Sequence, residues 1–453
     1  MTMADDDLPS LLAQLSSLDE DGDAARQTQL VQALRHHHLS TSSQRRNLST
    51  ERIHEIIDAL ITSMGTHLSH ADIQRQCLAA LSNLAYDAEA NRDYLVSRGA
   101  LTLTAEAMKN HKTDASVQAD ACALLTNVSS VNAASIRTKA GQELGIISLV
   151  VSALQEHRGM DKVARYGCAA LGGLAVDDPA NCVTMGEDGA VEALVDVLGR
   201  YGGVRGSTGG HDDEDNVEDD DETAIVDRAL SALNNITITD KNNRDRLAQR
   251  HGSVATIIAA LRGHEANERI TKHGLALVRR LVEASTPCAD GCARCGSAAV
   301  IVAAMETHTD HVGIQTQGVA LFRRLASTDP RRVELGLAGA VERTVRAMAT
   351  VAGDRELQFQ AAAALHNLSI DSEKNGDRVG AAGGIAPLLV AIRRFEEDEA
   401  LVDVCCRTLH RISYVGINKI RIREEDPTNL LYNVAQRYPK SCGRTAKGVL
   451  KNI

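Results

Sequence analysis

The sequence predicts an all-α fold, an α-solenoid of about eight three-helix repeats with partial end caps, and three observations carry the prediction. The first is a short apolar core that returns at near-constant spacing: Ala80–Leu84, Leu124–Val128, Ala170–Leu174, Leu233–Ile236, Val278–Leu281, Phe322–Leu325, Leu365–Leu368 and Leu409–Ile412. With one equivalent position in each taken as a register mark (83, 127, 173, 235, 280, 324, 367 and 411), the intervals are 44, 46, 62, 45, 44, 43 and 44 residues. Such a period with helical apolar spacing belongs to helical repeats, which bury a shared core only by stacking. The second observation is a glycine 15 to 18 residues after each of the first seven marks: Gly99, Gly145, Gly189, Gly252, Gly296, Gly339 and Gly383. A sharp break between two helices uses backbone conformations that a residue with a Cβ enters only at a cost. The third is composition: 43% of residues are apolar but only 2% are aromatic and Trp is absent, which suits thin layers of closely packed helices.

Residues 1–70 read as an N-terminal tail and an incomplete capping repeat, with amphipathic helices over Gln27–His37 and Ile53–Ser63. The repeat array occupies 71–415. Its opening long helix, Ala71–Ala85, sets Ile73, Cys77, Ala80, Leu81 and Leu84 on one apolar stripe. Asn91 then opens a short helix that stops at Gly99, and a further helix runs from Ala100 to Lys109, so each repeat holds a short first, a second and a long third helix. Asn recurs at the opening of the short helix as Asn91, Asn181, Asn243, Asn375 and Asn418, where its side chain is expected to accept from free amides of the first turn. The long interval is explained by one insertion, 203–223, between a second and a third helix. Residues 416–453 read as C-terminal capping helices, Asn429–Gln436 and Arg444–Lys451 supplying a more polar last layer. Residues 1–8, 39–50 and 203–223 are expected to be mobile.

The formal charge is −11, but Gly206–Glu222 holds nine acids and no Lys or Arg, so the rest of the chain carries only −2. With no net basic footprint and few aromatic side chains to stack on bases, no nucleic-acid partner is expected. No run reaches the roughly 18 apolar residues of a membrane span, so no membrane partner is expected either. The N-terminus is acidic and has no apolar signal core. The ten Cys are scattered through helical patterns, which suits reduced, buried thiols. These features point to a soluble monomer in the cytoplasm, with nucleus or cilium as alternatives.

The leucine- and asparagine-bearing core of the third helix, the Asn opening the first helix and the Gly-Ala or Gly-Ile step into the second (Gly99-Ala100, Gly145-Ile146, Gly189-Ala190, Gly339-Ala340, Gly384-Ile385) together resemble the armadillo repeat over about residues 71–415. The resemblance implies a right-handed superhelix whose third helices line a concave groove. It also implies that Asn at the register mark bonds the backbone of an extended peptide, since an amide offers donor and acceptor together. The mark is held by Asn83, Asn127, Asn235 and Asn367; Gly173 has lost it, and Arg280, Arg324 and Arg411 replace it. Nuclear-import adaptors of the family add Trp four residues before each mark. Here those places are Ala79, Ala123, Ala169, Ser231, Ala276, Ala320, Ala363 and Arg407, which disfavours that role.

Arg280, Arg324, Arg407 and Arg411, with His366 and His410 between them, suggest a stripe for carboxylate or phosphate groups; the alternative is that these arginines only solvate a helix face. The expected function is therefore a non-enzymatic scaffold holding an extended, acidic or phosphorylated segment of a protein partner. The acidic insertion is expected to compete for the same stripe, or else to be only a solvated loop. Cys288, Cys292 and Cys295 form C-x3-C-x2-C where a short first helix should stand. A zinc site completed by His264, His273 or His308, reactive thiols, or ordinary loop cysteines are the readings open there. The first two would make a metal- or redox-responsive regulator. His36, His37 and His38 close a predicted helix and read as exposed polarity. No phosphate loop, nucleophile elbow or H-E-x-x-H is present, so neither an enzyme nor a cofactor is expected.

Overall fold

The computed structural model describes residues 8–17, 24–130, 133–203, 221–425 and 428–453, and these contain 29 α-helices, two short π-helical segments and no strand. The architecture is all-helical and compatible with an α-solenoid. Its repeats close as the glycine spacing predicts: Gly99, Gly145, Gly189, Gly252, Gly296, Gly339 and Gly383 all have φ between 64° and 92°. Gly99, for example, joins a short first helix, Glu89–Ser97, to a second, Ala100–Asn110.

The chain divides into two compact units, Met1–Tyr201 with Gly209–Leu247, and Gly202–Thr208 with Ala248–Ile453. In the first, the third helices Ala71–Asp87, Ala115–Val128, Asp161–Ala175 and Asp221–Thr239 pack in succession. In the second, the same succession runs through Glu268–Ala284, Val312–Leu325, Arg355–Leu368 and Glu399–Ile412 to Gly443–Asn452, while the second helices pack on the third. Leu81, Leu125, Leu171, Leu233, Leu321, Leu365 and Leu409 are fully buried in these layers. Third helices begin on short polar caps: Asp114, Asn267, Asp354 and Asp398 each accept from an amide of the first turn.

Three sets of side-chain hydrogen bonds repeat along the units. Gln74, Gln118, Gln315 and Gln358 each donate to two carbonyls at the C-terminus of the preceding second helix, at 2.8–3.0 Å. Of each pair, the carbonyl of Met64, Met108, Met305 or Met348 accepts no backbone amide among the described residues, so the glutamine supplies a donor that the backbone lacks there; the other, of His67, His111, His308 or Val351, also accepts from the amide three residues on. His111, His157 and His308 end second helices and place Nε2 2.8–2.9 Å from a carbonyl of the preceding repeat.

The third set corrects a sequence expectation. Asn91, Asn181, Asn243, Asn375 and Asn418 do not cap the first helix; Asp178, Asp240 and Ser372 do, three residues before the asparagine. Instead the buried asparagine amides donate. Asn181 bonds Leu174 O and Arg137 O at 3.0 Å, and Asn375 bonds Leu368 O and Arg332 O at 2.9 Å. Four of them face a glycine of the preceding first helix: a Cβ at Gly141, Gly186, Gly336 or Gly380 would stand 1.8–2.0 Å from the Oδ1 of Asn181, Asn243, Asn375 or Asn418. A buried amide at that spot needs a bare backbone opposite it.

Other differences are local. Residues 39–50 are helical in part, Ser42–Arg46 being closed by a capping box from Thr41 and Gln44. The predicted helix ending in histidines continues as a π-helical turn, Arg35–Leu39, in which His38 is buried rather than exposed. The expectations placed on 1–7 and on the acidic insertion over 204–220 lie outside the described residues. No helix among the described residues is long and apolar enough to cross a membrane.

Candidate partner-binding surface

In the first unit the marked asparagines are occupied by stacking before any ligand arrives. Asn127 Nδ2 donates to Ser82 O and Ser82 Oγ, both at 2.9 Å, and Asn235 Nδ2 donates to Gly172 O at 3.1 Å. Asn83 donates to Leu39 O at 3.3 Å. For Asn127 and Asn235 the acceptor lies one residue before the mark of the preceding third helix, so the amide ties one layer to the last. All three side chains are half-buried. Where the mark is Gly173, a Cβ would meet Ser129 Oγ at 2.4 Å, so the hydroxyl of the neighbouring layer has replaced the side chain.

Asn367 repeats the pattern in the second unit, donating to Arg323 O at 2.9 Å. The arginines there are different. Arg324 is exposed and its Nε lies 3.6 Å from Glu283, which also faces Arg279 at 3.5 Å. Exposed Arg407 meets Asp403 one turn earlier on its own helix at 2.9 Å, and Arg411 lies 3.6 Å from Asp371. Arg280 is half-buried and partnered. Two further arginines of this face escape the sequence pattern. Arg323 donates to Gln360 at 2.8 Å, and its guanidinium and that of Arg355 sit 5.8 and 5.4 Å from the ring centroid of Phe359, with Arg355 also bonded to Asp398 at 2.6 Å. Arg355 and Phe359 stand i,i+4 on one helix, a spacing the sequence does carry, whereas the pairing of Arg323 with Phe359 across repeats has no spacing signature.

Burial dominates the electrostatics of the two histidines on this face. Burial, then Arg407 and Arg411, push the His366 imidazole down to about 4, and burial with Arg411 lowers His410. Both rings are therefore neutral at physiological pH beside guanidinium groups. Loose ion pairs open to solvent, such as those of Arg324 and Arg411, are worth about 0–1 kcal/mol, so an incoming oxyanion can replace the internal carboxylate with little loss.

Cys288 and Cys292 belong to a helix rather than a loop, and Cys295 stands in the turn that ends it: Thr286–Arg294 is a short first helix where the sequence pattern predicts that one is missing. Cys288 occupies the repeat position of the buried asparagines and points its Sγ 3.5 Å from Ala248 O. Cys292 is buried, and burial pushes its thiol up to about 12; Cys295 Sγ is 3.3 Å from Cys292 O. His308 and His264 end second helices, and His308 Nε2 lies against Glu265 O. Among the described residues no three His, Cys, Asp or Glu side chains converge as a metal site requires.

No family model and no curated protein matches the chain. Its fold is shared with solved structures, among them the crystal structure of an engineered protein from a structural genomics consortium. That structure has a TM-score of 0.68 over 98% of each chain at 19% identity. At that identity the likeness concerns the fold alone.

Proposed function

We propose that the protein is a non-enzymatic interaction scaffold, a right-handed solenoid of armadillo type, whose second unit grips an extended acidic or phosphorylated segment of a protein partner. The observation that carries the reading is the set Arg324 on helix Val312–Leu325 and Arg407 with Arg411 on helix Glu399–Ile412, the third helices on either side of Arg355–Leu368, which bears His366. Each is held only by an exposed or half-buried carboxylate, beside two histidines that burial and the last two arginines keep neutral. Asn367, half-buried in the same unit, supplies the rest of the grip. Its Nδ2 is taken, but its Oδ1 makes no hydrogen bond among the described residues and remains an acceptor for a partner's backbone N–H.

Four third helices of the second unit at about 8–10 Å spacing span roughly 30 Å, the length of about nine extended residues. A labelled peptide of that length rich in Glu, titrated with the full chain by fluorescence anisotropy, tests the reading. Acidic peptide should bind, a Lys-rich one should not, and added salt should weaken the complex strongly. Arg324→Gln should lower affinity by about threefold to tenfold. Equal affinity for both peptides, or no change in Arg324→Gln, would overturn it.

A further inference from the structure

One cavity of the second unit is built differently from the open arginine face beside it. It holds about 400 Å³ between the turn that follows helix Arg355–Leu368, the start of helix Glu373–Ala381 and the end of helix Glu399–Ile412. Ser369, a residue 4% exposed, lines it, and its Oγ has no hydrogen-bond partner among the described residues. Leaving a buried hydroxyl unpaired costs about 1–3 kcal/mol; this Oγ is itself closed to solvent, so it meets a ligand atom in the cavity by turning about its Cα–Cβ bond.

Other donors converge on the same space. The first helical amide, Glu373 N–H, makes no hydrogen bond among the described residues, because Ser372 serves amides further along: its Oγ accepts from Asn375 N at 3.4 Å and its carbonyl from Gly376 N at 3.0 Å. Arg411 brings a guanidinium, and Tyr414 lines the rim with a hydroxyl now 3.3 Å from His410 Nε2. Two carboxylates, Asp371 and Glu373, also line the cavity and oppose an anion. Asp371 is the informative one. Its side chain is 73% exposed and stands 3.6 Å from Arg411, a position in which it fills the guanidinium's need for an oxyanion without a short bond.

We propose that this cavity receives a phosphate monoester carried on the partner segment, with Asp371 as the displaceable internal anion. A carboxylate has two oxygens, whereas the donors here are a guanidinium, a backbone amide and two hydroxyls, enough for the three terminal oxygens of a phosphoryl group. The helix N-terminus adds favourable partial positive charge. The inference rests on the scaffold reading in placing the ligand on a protein segment, but the site has its own test.

The probe is phosphoserine blocked at both termini, added to the full chain and followed by its ³¹P resonance, with blocked serine as control. Ser369→Ala should weaken binding by about fivefold, Arg411→Gln by at least about tenfold, and Asp371→Asn should tighten it by about threefold to tenfold. Asn suits that last variant because it tolerates the left-handed backbone of Asp371, φ 48°, and keeps the fold. Tightening in Asp371→Asn together with loss in Arg411→Gln supports the site. Absence of phosphoserine binding, or binding that ignores all three changes, overturns it. If phosphoserine fails while the Glu-rich peptide still depends on Arg324, the cavity is refuted and the scaffold reading stands. If phosphoserine binds as expected while the peptide ignores Arg324, the scaffold reading falls and the site stands.

Discussion

Asp120 offers a perturbation whose sign is fixed by the structure. It sits half-buried in helix Ala115–Val128 of the first unit and makes no ion pair among the described residues. Burial pushes its carboxyl up from 3.8 to about 6, although Arg35, Arg75 and Lys162 pull the other way. A carboxylate whose folded pKa lies above the unfolded one holds its proton more firmly when folded. Its contribution is full below about pH 4 and is lost as pH rises through about 6. Above that, the ionised group destabilises the unit by up to about 3 kcal/mol at 1.36 kcal/mol per pH unit, and by about 2 kcal/mol once partial exposure is allowed for. Asp120→Asn removes the charge at constant volume. It should therefore stabilise the first unit by about 2 kcal/mol at about pH 7.5, with the gain vanishing at about pH 4. Hydrogen exchange of the amides of 115–128 is the suitable assay, because two compact units make a single global unfolding energy ill-defined. A less stable Asn variant at neutral pH, or a gain that does not change with pH, would show that the three cations outweigh desolvation and that the reasoning is wrong.

Three further outcomes follow from the same geometry. Gly186→Ala should cost about 2–3 kcal/mol by driving a methyl to 1.9 Å from Asn243 Oδ1, and the double variant with Asn243→Ala should cost less than the two single changes added; strict additivity in hydrogen exchange of the first unit's core amides would contradict the contact. His366, with its folded pKa lowered to about 4, contributes stability that is present above the unfolded pKa of about 6.5 and is lost as pH falls toward 4, so an imidazole titrating near 6.5 by NMR would show that burial does not govern this ring. Alkylation of the native chain at neutral pH should reach Cys295 first, since it is half-buried while burial raises Cys77, Cys168 and Cys405 far above the usual thiol range; early modification of any of those three would show that the layers open.

The repeat is legible because its requirements are local and periodic. An apolar stripe every three or four residues and a positive-φ glycine at each corner leave marks that a single sequence preserves. What the sequence hides is the direction of polar side chains. Asn at the start of a helix satisfies the rule for a capping acceptor, yet Asn181 and Asn375 turn their amides backward to carbonyls seven residues earlier. Only the glycine of the preceding first helix, some forty residues away, makes room for that rotamer. Cys288 reads as a loop thiol for the same reason: its role is defined by a neighbour, Ala248, that no short motif contains.

The same distinction separates the residues that build the array from those left for a partner. A side chain demanded by every interface between layers is explained by stacking, as the donor bonds of Asn127, Asn235 and Asn367 show. Departures from the repeat then divide in two. Gly173 and Cys288 depart because a neighbouring layer fills or meets the position. Arg324, Arg407 and Arg411 depart without such a reason: the carboxylates they face are exposed or half-buried, at 2.9–3.6 Å, and worth little to folding. Stability gives little account of keeping three guanidinium groups in that arrangement, and that is the ground on which we propose an external oxyanion for them.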